Sequence, residues 1–142
     1  MNNNILIVGN SASLIDKFFK EYSIPSSKYY DFTQINSDSD VERNENAVSF
    51  IWDAMNSEEL TIIFNCVGWP DLGGESAVSQ FAMMARKFGK QLIVAVSEKD
   101  AIKLKDNFDI IGMLSYGKEN FIAMSHTKSE LTGGKRRYRI KN

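Results

Sequence analysis

The chain has 142 residues, 43% of them hydrophobic and 25% charged, with a formal net charge of −1. This is enough for one globular domain, residues 1–142, that buries roughly two-thirds of its unfolded surface. The near-neutral balance excludes a global field that would recruit nucleic acid or an anionic membrane. One cysteine, Cys66, rules out an internal disulfide framework and fits a reducing, cytoplasmic compartment. With a single histidine, His126, the chain also lacks a closed zinc ligand set.

Asn4 to Gly9 (Asn-Ile-Leu-Ile-Val-Gly) is an apolar run ending in glycine, as expected of a strand buried on both faces of a parallel sheet. Asn10-Ser-Ala-Ser13 follows, then Leu14, Ile15, Phe18 and Phe19 at helical spacing. A helix capped by Ser11 or Ser13 is predicted. Pro25-Ser-Ser breaks the chain, Lys28 to Thr33 reads as a second strand, and Gln34 to Asn36 as a short further strand before a polar turn. Ala47, Phe50, Ile51, Ala54 and Met55 form one face of an amphipathic helix. Thr61 to Gly68 is another buried strand, Trp69 to Gly74 a loop, and Ser76 to Phe88 a helix stopped by Gly89. Gln91 to Ser97 is the next strand, with a short helix through Lys105 after it.

The last third supports two assignments. Asp109 to Ser115 and Asn120 to Ser125 form a hairpin, or the second run opens a helix through Leu131. Lys135 to Ile140 is a final strand whose basic residues suit a solvated edge. Apolar strands alternating with helices predict an α/β, Rossmann-like parallel sheet flanked by helices, with Val8, Ile63 and Val94 in central parallel strands. Ligands of such sheets bind beyond the carboxyl ends of the strands, which directs attention to Gly9 to Ser13, Asp31 to Asp38, Asn65 to Pro70, and Ser97 onward.

At these places the chain resembles the short-chain dehydrogenase/reductase family, in its nucleotide-sugar reductase and epimerase branch. Gly9-Asn-Ser-Ala-Ser-Leu-Ile15 is similar to that family's Gly-x-x-x-Gly-x-Gly turn, with Ser13 and Ile15 in place of the later glycines. Asn65-Cys-Val-Gly68 is similar to its Asn-x-Ala-Gly strand end, and Ser97 stands where its substrate-binding serine stands. The resemblance implies an NAD(P) site at Gly9, Ser11, Ser13, Leu14, Asp38, Asn65 and Gly68, and catalysis by Ser97, Tyr116 and Lys128.

The family's Tyr-x-x-x-Lys pair is incomplete in both registers. Tyr116 is followed at four residues by Asn120, and Lys128 is preceded at four by Met124. A neutral amide does not depress a tyrosine pKa, and methionine has no proton to transfer. The expectation is therefore a degenerate, non-catalytic member with no or weak NAD(P) binding, serving as a binding or assembly component. It would form a homo-oligomer or join a larger particle, with Trp69 near the contact. The alternatives are a minimal oxidoreductase using Ser97 and Tyr116 with Lys118 or Lys128, and a nucleotide-binding module without catalysis. His126 reads as a surface residue and Cys66 as a buried hydrophobe.

Overall fold

The computed structural model describes residues 4–9, 11–21, 24–35, 38–69, 76–115, 121–125 and 136–139. The expected apolar runs are strands β1 (Ile5–Val8), β3 (Thr61–Asn65), β4 (Gln91–Val96) and β5 (Ile110–Ser115). A more amphipathic β2 (Ser27–Asp31) precedes β3. The helices are α1 (Ala12–Glu21), α2 (Asp40–Asn56), α3 (Ala77–Met84) and α4 (Glu98–Leu104). These form an α/β fold in which β1 to β5 are mutually parallel, with four helices flanking the sheet.

Alternation along each strand divides the core. Leu6, Val8, Ile62, Phe64, Leu92, Val94 and Val96 face a large cluster covered by α2, α3 and α4. Ile7, Ile63, Ile93 and Ala95 face a smaller cluster covered by α1 through Leu14, Ile15 and Phe18. Both faces are buried, which is why these strands lack polar alternation. An aromatic group of Tyr30, Phe32, Phe50, Phe64, Phe81 and Trp69 fills the space between β2–β3 and the α2–α3 layer.

The strand order is β2-β3-β4-β1-β5-β6-β7. This order corrects the dehydrogenase resemblance. In the doubly wound dinucleotide fold the first strand lies beside the second, in the order 3-2-1-4-5-6. Here β1 lies between β4 and β5, and β2 is the outer strand beside β3. Two strands separate β2 from β1, so the three steps between them span about 14 Å. The spacing of elements along the chain is that of many parallel α/β folds. It carries no information on which strand each helix returns to.

Two local expectations also change. Phe32–Gln34 is a 3₁₀ turn instead of a strand, because the Asp31 side chain caps it by accepting from the Thr33 N–H at 3.0 Å. Thr61–Asn65 is consequently the third strand. The helix of residues 76–88 ends as a 3₁₀ turn (Ala85–Phe88) stopped by Gly89 at φ 70°, as its glycine foretold. After β5 the chain forms the hairpin assignment. The strand β6 (Phe121–Ser125) pairs antiparallel with β5, and β7 (Arg136–Arg139) pairs antiparallel with β6. Among the described residues no helix is long and apolar enough to cross a membrane.

Candidate functional site

The carboxyl ends of β1, β3 and β4 meet at one edge. The Gly9 N–H donates to the Val96 carbonyl at 2.9 Å, and the Cys66 N–H to the Ala95 carbonyl at 2.8 Å. Gly9, Asn65, Cys66 and Ser97 are therefore neighbours in the sheet, as sequence position suggested. Asp38 is not among them. It follows the 3₁₀ turn after β2 in the chain and immediately precedes Ser39, the cap of α2. Tyr116, Lys128 and His126 lie outside the described residues.

Ser11 is the cap of α1. Its hydroxyl accepts from the Leu14 N–H at 3.2 Å and lies 3.0 Å from the Ser13 hydroxyl, and its carbonyl accepts from the Ile15 N–H. Leu14 and Ile15 are buried against the sheet, so neither side chain faces a ligand at this turn. Asn65 is fully buried. Its amide donates to the Ala12 carbonyl at 3.1 Å and to the Tyr29 hydroxyl at 3.0 Å, and its side-chain oxygen accepts from the Val67 N–H at 3.3 Å. The Tyr29 hydroxyl in turn donates to Asp16 at 3.0 Å, and Asp16 pairs with Lys20 at 2.6 Å. Asn65 thus ties the β3 end to the first turn of α1, and both of its amide N–H donors are taken. Burial pushes the Tyr29 hydroxyl well above its ordinary pKa.

Gly68 adopts φ 82° in the turn closed by the Trp69 N–H on the Cys66 carbonyl at 3.0 Å, a conformation that side chains disfavour. Cys66 is fully buried, and burial pushes its thiol well above the usual range, which suits an unreactive packing residue. The Ser97 hydroxyl donates to Asp100 at 3.2 Å in the first turn of α4.

A concave feature of this edge lies on the α2–α3 side. A cavity of about 250 Å³ is lined by Asp40, Asn44, Ala47, Trp69, Ser76, Ala77 and Val78. It sits where α2 and α3 begin. Trp69 is only 6% exposed and packs edge-on against Phe32, instead of standing at an open rim. Asp40, Asn44 and Ser76 were missed in the sequence because Asp40 and Ser76 read as ordinary helix-start residues and Asn44 as a polar position within a helix. Only packing brings two such starts together.

No protein-family model matches the sequence. No curated protein matches it either. The fold is similar to the crystal structure of the N-terminal domain of zonular occludens toxin from Neisseria meningitidis, with a TM-score of 0.58 and 10% sequence identity over 99% of this chain and 94% of that one. That likeness and the strand order replace the short-chain dehydrogenase assignment. The dehydrogenase-derived function falls with it. At this identity the likeness establishes the fold that this chain shares with the toxin domain.

Proposed function

We propose that the chain is a P-loop NTPase-like domain of the toxin-domain kind, and that it does not cleave nucleoside triphosphates. The observation that carries this is the position of β1 between β4 and β5, with a glycine-led turn running from it into α1. A phosphate-cradling loop of this type runs Gly-x-x-x-x-Gly-Lys-Ser/Thr between strand and helix. Counted from Gly9, the last three places hold Leu14, Ile15 and Asp16. Ile15 is fully buried where the phosphate-binding lysine belongs, and Asp16 puts a carboxylate where the magnesium-binding hydroxyl belongs. Asn65 ends β3, where such enzymes use a carboxylate to hold the metal, and its amide is a donor towards Ala12 and Tyr29.

The test is phosphate release from Mg-ATP and Mg-GTP by purified protein. The expected result is no release above the protein-free rate. Multiple turnovers that disappear in Asp16→Asn would overturn the proposal. A cytoplasmic location belongs to this reading, supported by the lone buried Cys66. So does self-association or a place in a larger assembly, supported by the exposed Trp52, Leu60, Met83 and Ile102. A monomer by light scattering at high concentration would remove that part.

A further inference from the structure

The cavity between the starts of α2 and α3 presents donors without acceptors. The Ser39 hydroxyl and carbonyl take the N–H groups of Glu42 and Arg43, and the Ser76 hydroxyl and carbonyl take those of Ser79 and Gln80. The first N–H groups of a helix have no acceptor inside it. Those of Asp40, Ala77 and Val78, three residues of the cavity wall, therefore have no acceptor among the described residues. A second observation is independent of the helix ends. Trp69, 94% buried by its 6% exposure, lines the same cavity, and its indole N–H has no hydrogen-bond partner among the described residues. A buried indole N–H ordinarily finds an acceptor. The rest of the wall is the polar Asn44 and the apolar Ala47, Ala77 and Val78.

We propose that this cavity binds a small monocarboxylate, its oxygens taking the indole N–H of Trp69 and the first N–H groups of α3, and its apolar body lying on Trp69 and Ala47. Two helix N-termini favour a negative group. The Asp40 side chain, on the same wall but 86% exposed and paired with Arg43, adds a screened negative charge that weighs against a doubly charged ligand such as phosphate. The volume suits a molecule of benzoate size, smaller than a nucleotide. The proposal does not depend on the nucleotide reading, since it uses the α2–α3 side of the sheet instead of the β1–α1 turn.

The chain's two tryptophans provide the test. In ¹⁵N-labelled protein each indole gives one N–H signal, and Trp52, 59% exposed on α2, is the internal control. The Trp52→Phe variant assigns the signals. Sodium benzoate is titrated beside benzamide and sodium phosphate. N-acetyl-alanyl-alanine is added as a stand-in for a peptide's terminal carboxylate. The expected result is a saturable shift of the Trp69 signal alone, with a dissociation constant on the order of 1 mM or tighter, and a response at least tenfold weaker in Ala77→Leu, which fills the wall. Benzoate binding better than the peptide mimic identifies a free small acid, and the reverse identifies a chain terminus. A Trp69 signal that does not move, one that moves together with Trp52, or one that responds equally to benzamide or to phosphate would each overturn the proposal, and these readouts need only the wild-type protein and the Trp52→Phe variant at an exposed position.

Discussion

The side-chain amide of Asn65, at the end of β3, donates to the hydroxyl of Tyr29 on β2 while holding the Ala12 carbonyl at the start of α1. One buried amide therefore joins three elements at the edge where a ligand of this fold class would sit. Replacing it by aspartate keeps the shape but turns a donor into an acceptor facing a carbonyl. Asn65→Asp is expected to lose about 3 kcal/mol, because a buried carboxylate without its donors adds to the lost hydrogen bonds. Asn65→Ala should lose about 2 kcal/mol. Urea unfolding followed by circular dichroism measures both, and a loss under about 0.5 kcal/mol for Asn65→Asp would refute this role.

Lys90 is buried at the entry to β4. Its Nζ donates to the carbonyls of Ser57 and Glu59, each at 2.8 Å, just beyond the C-terminal end of α2. A cation there satisfies carbonyls that the helix and the following turn leave over. Lys90→Met retains the aliphatic stem and removes the donors, and should cost about 2 kcal/mol. The urea midpoint should fall with the slope unchanged.

Gly89 holds φ 70° and a Cβ placed there would meet nothing within 4 Å. The penalty for Gly89→Ala is then conformational, about 1 kcal/mol, with Gly89→Asn costing less. Thermal unfolding of the two variants should rank them in that order. Equal melting temperatures for wild type and Gly89→Ala would contradict the assignment.

Alkaline pH should unfold the protein from the β2 side. Burial raises the hydroxyls of Tyr29 and Tyr30 above their ordinary value of 10.0, Tyr30 also through its bond to Asp53. A raised folded-state pKa leaves the stability contribution intact below pH 10. It is lost as pH climbs from there towards the folded-state value, since the unfolded chain releases those protons first. Stability measured by urea titration at pH 8 and at pH 11 should differ, and Tyr29→Phe with Tyr30→Phe should flatten the difference.

At acid pH the sign reverses. The hydrogen bonds from Lys28 and Tyr30 hold the Asp53 carboxyl below its usual range. Its contribution is present above the unfolded value and is lost as pH falls through the folded one. Asp53 is solvent-exposed, so Asp53→Asn should reduce the acid sensitivity only slightly. The pH of half-unfolding for the variant, compared with wild type, checks this.

The sequence by itself determined the parallel α/β class, most of the elements and the central strands. Continuous apolar runs such as Ile62-Ile-Phe64 need cover on both faces, and apolar spacing of 3.6 residues in 47–55 needs a helix. It also placed Gly9, Asn65 and Ser97 at strand ends, because a parallel strand finishes where its apolar run does. Only the tertiary structure decided which strand lies beside which. A helix crossover is long enough to reach either a neighbouring strand or one several places away, so Leu14, Ile15 and Phe18 pack equally well in both cases. Putting β1 between β4 and β5 replaced a dinucleotide fold by a different one with the same element list. The same step united the starts of α2 and α3 under Trp69, residues that local pattern leaves unrelated because they are joined by packing alone.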